Sequence, residues 1–123
     1  MNHAKGKRVL IVDDQQIVAD SLKMVLRFNG IESQTAGSGP EGLDAFEPHK
    51  FAVVFTDFEM PGMNGHEFST IIKARDPGQP VIMMTAYAST LDRKSLPHVD
   101  WLLEKPWTLD DLRTAIREVL PAQ

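Results

Sequence analysis

The sequence has no cysteine. That excludes disulfide staples, thiolate nucleophiles and cysteine-bound zinc. Positive charge is also short: Lys plus Arg total 13 against 17 Asp plus Glu, a net charge of −4. A domain that binds nucleic acid mainly by neutralising phosphates needs the opposite balance. No apolar run approaches the roughly 18–20 residues of a membrane-spanning helix. The first eight residues, Met1 to Arg8, are polar and basic and lack the apolar stretch of a signal peptide. Repeats, low-complexity tracts and linkers are missing as well, and the 8 Gly and 8 Pro are scattered as punctuation. What remains is 123 residues that are 42% hydrophobic and 24% charged. This suits a single domain over 1–123, large enough for one real core, with the cytoplasm as its expected location.

Two kinds of segment alternate along the chain. Arg8–Val12, Phe51–Phe55 and Val81–Met84 are short, continuous apolar runs rich in β-branched residues. Runs that are apolar on both faces read as central strands of a parallel sheet covered by helices. Ile31–Ala36 is more polar and alternates weakly, as an edge strand does, and Trp101–Leu103 is a fifth strand near an edge. Between them lie helical patterns. Val18, Leu22, Val25 and Leu26 share one face of a helix that should stop at Asn29-Gly30. Ser38-Gly-Pro-Glu41 fits a capping box ahead of Leu43 and Phe46, with Pro48 ending that helix. Phe68, Ile71 and Ile72 line a third helix, which must stop before Pro77. Leu109, Leu112, Ile116, Val119 and Leu120 mark a last helix, capped by Thr108 and closed by Pro121. Ala88 to Leu96 is read as a short fourth helix, cut off by Pro97, although its apolar periodicity is slight. Strict β-α alternation implies an α/β doubly wound parallel sheet with right-handed crossovers.

In such folds, ligands bind outside the carboxyl ends of the strands. That edge should collect Asp13 and Asp14 after the first strand and Asp57 after the third. Thr85 ends the fourth strand, and Lys105 follows the fifth. Each alone has a mundane explanation: strand-end acids often cap the next helix, and a lone Lys is usually a solvated charge. Together they pose an electrostatic problem. Two carboxylates about 5 Å apart repel by roughly 3 kcal/mol at an effective dielectric of about 20. One Lys among three acids leaves two negative charges, which a divalent cation would balance. Hard oxygen ligands, with neither Cys nor paired His, favour Mg²⁺ over Zn²⁺. Such a site keeps waters and shares phosphate oxygens, so its substrate should be a phosphoryl group. Asp57, on a central strand, is then the nucleophile that becomes an acyl phosphate, with Thr85 and Lys105 contacting the phosphoryl oxygens.

At this point the sequence resembles the receiver domain of the two-component response-regulator family, the CheY-like domains. The resemblance covers about residues 7–120. It is carried by Val9-Leu-Ile-Val-Asp-Asp14, by Asp57-Phe-Glu-Met-Pro-Gly-Met-Asn-Gly65, by Thr85-Ala86 and by Lys105-Pro106. It implies a flavodoxin-like five-stranded sheet of order 2-1-3-4-5. It further implies that Asp57 accepts a phosphoryl group from a phosphohistidine on a sensor histidine kinase or phosphotransfer protein, and later loses it slowly to water. Asp14 would ligate Mg²⁺ directly, Asp13 largely through water, and Glu59 through its backbone carbonyl. Thr85 and Lys105 would hold the phosphoryl oxygens, and the Lys105–Pro106 bond would be cis. Glu59 and Tyr87 would flank the phosphoryl group and influence its lifetime, with Tyr87 restricting water.

The chain departs from the family in two respects. The aromatic residue usual three positions before the lysine is replaced by Leu102. Strand alternation should turn Trp101 to the opposite face, leaving Thr85 and its following loop to carry the output. The segment between Thr85 and Lys105 is also short. Other readings are a Mg²⁺-dependent aspartyl-phosphate phosphatase, a flavodoxin-like FMN carrier and a receiver that only binds partners. Asp13-Asp14-Gln15-Gln16 would repel the phosphate of FMN. His3, His49, His66 and His98 lack metal-ligand spacing and read as solvated, as do Lys5, Lys7 and Arg8. Met60, Met63 and Trp107 read as packing residues. No DNA-binding or enzymatic output segment is recognised after residue 120, so the chain reads either as a stand-alone receiver or as one cut from a larger protein.

Overall fold

A computed structural model describes residues 7–120. Its elements are β1 (Arg8–Val12), α1 (Gln16–Phe28), β2 (Ser33–Ala36), α2 (Gly39–Ala45), β3 (Phe51–Asp57), α3 (Gly65–Arg75), β4 (Val81–Thr85), β5 (Trp101–Glu104) and α4 (Leu109–Val119). All neighbouring strands are parallel, in the order β2-β1-β3-β4-β5. The β-branched apolar runs of β1, β3 and β4 are buried on both faces, as the sequence pattern requires.

Alternation divides the core into two layers. Val9, Ile11, Val53, Phe55, Ile82 and Met84 face α1 and α4, where Leu22, Leu26, Leu112 and Ile116 close over them. Leu10, Val12, Val54 and Val81 face the other way, onto Phe46, Phe68 and Ile72 near and within α2 and α3. Helix α1 ends in a Schellman motif. Gly30, at φ +79°, donates to the Arg27 carbonyl, and Ile31 donates back to that of Leu26. This draws Ile31 into the core, so β2 begins at Ser33 and not at Ile31 as expected. Ser38 caps α2 by accepting from Glu41 N–H. Glu41 does not complete the expected box, because its carboxylate accepts from Gly37 N–H instead. Thr108 and Asp111 form a full capping box on α4, although Leu109, expected on the buried face, is partly exposed. Pro121, His3 and Lys5 lie outside the described residues.

The expected helix over Ala88–Leu96 is replaced by two single 3₁₀ turns, Ala88–Thr90 and Arg93–Ser95. The physical reason is local. Leu91 and Leu96, which pack on Met83 and Leu102, are spaced five apart, off the three-or-four spacing of a helical face, and Val99 of the same cluster lies beyond Pro97. Asp92 takes the Lys94 N–H with its side chain and the Ser95 hydroxyl with its carbonyl, satisfying a turn and not a helix. Strand β5 keeps its alternation. Leu102 belongs to this third cluster, while Trp101 packs against the α1–α4 layer on the opposite face.

Strand register sets the carboxyl edge. Val12 pairs with Thr56, so the next residues, Asp13 and Asp57, leave the sheet side by side. Thr85 pairs with Glu104, and its carbonyl accepts from Lys105 N–H at 2.9 Å. The start of α3 is pressed against this edge. A Cβ on Gly65 would lie 2.3 Å from the Asp57 carbonyl oxygen and 3.0 Å from Phe58 Cα, both backbone atoms with little freedom to yield. Gly65→Ala is therefore expected to lower the unfolding free energy by about 1–3 kcal/mol, the usual cost of overpacking. In urea titrations, Gly78→Ala is the control, because the nearest atom to a Cβ there is 3.6 Å away. Equal midpoints for the two variants would contradict the argument.

Candidate functional site

Asp13 is fully buried at its side chain. Its Oδ1 accepts from Gln15 N–H at 2.9 Å, which ties the β1 end to the start of α1. Its Oδ2 is buried and has no hydrogen-bond partner among the described residues. Lys105 Nζ lies 3.7 Å from it, an ion-pair distance but too long for a hydrogen bond. Asp57, the last residue of β3, has a nearly buried carboxylate whose Oδ1 accepts from Lys105 Nζ at 3.0 Å. Asp14 stands exposed beside them. One carboxylate oxygen from each of Asp13, Asp14 and Asp57 lies within 4.8 Å of the others.

Thr85 is fully buried. Its hydroxyl donates to Glu59 Oε1 at 3.0 Å and accepts from Tyr87 N–H at 3.0 Å. The Glu59 carboxylate is thus a fourth acid at this edge, and sequence reasoning missed it. The expectation for Glu59 concerned only its backbone carbonyl, and no spacing rule reports where a flexible, exposed side chain turns. Tyr87 itself is 59% exposed and meets the site through its backbone N–H. The Lys105–Pro106 bond is cis, as the family resemblance implies. Met60 and Met63 pack in the α2–α3 layer, and Trp107 against the α1–α4 layer.

Crowding shifts the titrations in a consistent direction. Burial pushes the Asp57 carboxyl up to about 6; the Lys105 hydrogen bond and charge pull it down by less, and Asp13 and Glu59 add to the rise. Burial raises Asp13 too, against the Gln15 hydrogen bond and the Lys105 charge. Burial alone would lower Lys105. The hydrogen bond it donates to Asp57 and the charges of Asp57, Asp13 and Glu59 outweigh it, and the net shift is upward. The edge therefore carries more negative charge than the Lys105 ammonium balances. The orphaned Asp13 oxygen forgoes a hydrogen bond, a deficit typically of about 1–3 kcal/mol. A hard divalent cation fits this donor set, because it would pair that oxygen and neutralise its neighbours.

The site residues thus converge from four strand ends and one loop. The profile of the response regulator receiver domain matches residues 9–117. Over 114 residues the chain is 37% identical to the sensory transduction protein RegX3 of Mycolicibacterium smegmatis, covering 91% of this chain and 50% of that protein. It therefore spans about half the length of that relative. The response regulator TrrA of Thermotoga maritima, solved with Mg²⁺-BeF, superposes with a TM-score of 0.82 at 30% identity, over 93% of this chain and 99% of that one. A complex of the histidine kinase ThkA with TrrA superposes with a TM-score of 0.84 at 31% identity, over 94% of this chain and 99% of that one. With its 2-1-3-4-5 parallel sheet and acidic carboxyl edge, the chain belongs to the receiver domain family of two-component response regulators.

Proposed function

We propose that residues 1–123 form one phosphoacceptor domain, in which Asp57 takes a phosphoryl group from a phosphohistidine. The observation that carries this reading is the Lys105 ammonium 3.0 Å from an Asp57 carboxylate that shares a 4.8 Å cluster with Asp13 and Asp14. An Asp57 oxygen attacks phosphorus, the P–O bond forms as the P–N bond to the donor imidazole breaks, and the imidazole keeps the electron pair. Lys105 and the Thr85 hydroxyl neutralise the equatorial phosphoryl oxygens as charge develops on them. Asp13, Asp14, Asp57 and the Glu59 carbonyl would hold Mg²⁺, which supplies further neutralisation of the phosphoryl oxygens. Loss of the group reverses the chemistry with water as nucleophile, releasing inorganic phosphate and restoring the carboxylate.

The donor is a cytoplasmic histidine kinase or phosphotransfer protein, and α1 offers it a face beside the site. Ile17, Met24 and Phe28 are 81%, 61% and 85% exposed. With Ser21 they follow 4-3-4 spacing along one side of a helix that begins two residues after Asp14. A partner helix laid on this stripe brings its histidine over the carboxyl edge. Output then passes through Thr85 and the loop after it, towards a partner that the sequence does not name. None of the helices in the described residues is long and apolar enough to cross a membrane.

Three outcomes test this reading. With acetyl phosphate and magnesium, mass spectrometry should show one added phosphoryl group, absent from Asp57→Asn. Persistence of the modification in the variant would refute the assignment. Changing Ile17 or Phe28 to Glu should slow transfer from a kinase that phosphorylates the wild type by about tenfold or more, the effect of losing an interface hot spot. Transfer from acetyl phosphate should stay unchanged, and equal loss with both donors would remove the docking role.

The third test concerns stability. The folded pKa of Asp57, about 6, lies above the 3.8 usual for a free aspartate, so the folded state holds this proton more tightly. The stabilisation that proton confers is complete below about pH 4 and is lost as pH rises through about 6. Without magnesium, Asp57→Asn should therefore be more stable than wild type by about 1–3 kcal/mol at pH 8. The gap should close as pH falls towards 4, and magnesium should narrow it at pH 8. Urea titrations across that range provide the measurement, and a gap that widens on acidification would contradict the assignment.

A further inference from the structure

We propose that Glu59 is a positioning residue that holds the Thr85 hydroxyl in the unmodified protein, and that a phosphoryl group on Asp57 must displace it before Thr85 can bind the phosphoryl oxygens. This rests on the reading of Asp57 as phosphoacceptor. A threonine hydroxyl has a single proton to donate. Here that proton goes to Glu59 Oε1 at 3.0 Å, while the oxygen already accepts from Tyr87 N–H at 3.0 Å. The same proton cannot serve a phosphoryl oxygen at the same time.

The surroundings make the exchange one-sided in its mechanics. Thr85 is fully buried at the end of β4, and its carbonyl is fixed by Lys105 N–H at 2.9 Å. Its hydroxyl can change partners, but its main chain is pinned. Glu59 sits in the loop after β3 and is exposed, so its carboxylate can leave for water. Glu59 and the incoming group are both anions competing for one donor. Glu59 therefore acts through Thr85, as an internal competitor that lowers the affinity of the site for a phosphoryl group. A plain charge effect would act on the phosphoryl group directly and would not need the hydroxyl.

Fluoroberyllate binding at saturating magnesium, followed by calorimetry, separates these possibilities. Glu59→Ala should bind fluoroberyllate about tenfold more tightly than wild type, the scale of a hydrogen bond to a charged acceptor. Glu59→Gln keeps an acceptor oxygen for the hydroxyl and should gain less. In a Thr85→Ala background, the gain from Glu59→Ala should fall to about twofold or less, the residue of pure charge repulsion. Thr85→Ser retains the hydroxyl and should restore the full gain, so the result does not depend on one variant folding well. Equal gains with and without the hydroxyl would overturn the proposal, as would no gain at all. A wild type that fails to bind fluoroberyllate, or an Asp57→Asn variant that binds it as tightly, would instead overturn the phosphoacceptor reading and this proposal with it.

Discussion

Three carboxylates held within 4.8 Å of one another, with one ammonium facing them, define what the rest of this molecule has to withstand. At an effective dielectric of about 20, each acid pair near that spacing repels by roughly 3–4 kcal/mol. Side chains free to move would separate. Those of Asp13 and Asp57 cannot, because the two residues leave neighbouring strands in register, one residue past a Val12–Thr56 pair whose members are both fully buried. Asp13 is further tied by Gln15 N–H, and Asp57 by the close approach of Gly65 to its carbonyl. The two core layers resist the repulsion, and the strand register aims it.

The same constraint explains why the site is chemically suited to charged ligands. Lys105 reaches both Asp57 and Asp13 but hydrogen-bonds only the former, leaving one buried Asp13 oxygen unpaired. On the proposed reading, cation and phosphoryl group complement each other. The cation relieves the acids, and the ammonium and hydroxyl then face the phosphoryl oxygens. An arrangement satisfied by its own side chains would have no such affinity.

Much of this was legible in the sequence, for identifiable reasons. The apolar runs of β1, β3 and β4 exclude a surface location, and a parallel sheet sends their carboxyl ends to one edge. Asp13, Asp57, Thr85 and Lys105 could therefore be brought together without coordinates. The misreadings arise where local hydrogen bonds decide. Residues 88–96 contain no periodic face, and Asp92 satisfies a turn. The run Ile31–Ala36 looks like one strand, but the Schellman bond to Leu26 turns Ile31 into the helix layer. Glu41 is spaced to close a box with Ser38, but its carboxylate accepts from Gly37 N–H. Glu59 is the instructive case. Its place in the loop motif was readable, but its side-chain contact with Thr85 depends on a rotamer, and a rotamer is chosen by neighbours far away in sequence.

The short crossover bears on how a change at Asp57 could reach the surface. Coupling between sites needs an element with two arrangements that the ligand distinguishes. Leu102 lacks the ring of the usual family residue, and Trp101 packs on the far face of the sheet, in the layer of α1 and α4. Neither offers a rotor beside Thr85. What Thr85 does contact is the backbone of Tyr87, the residue that leads into the 3₁₀ turn at Ala88–Thr90. That loop is held over Met83 by a small cluster including Leu91, Leu96 and Val99, and not by a helix face. A segment with so few buried contacts rearranges at lower cost than a packed helix. On the proposed reading, a hydroxyl that exchanges one anionic partner for another would pull, through the Tyr87 backbone, on a loop held by only this small cluster.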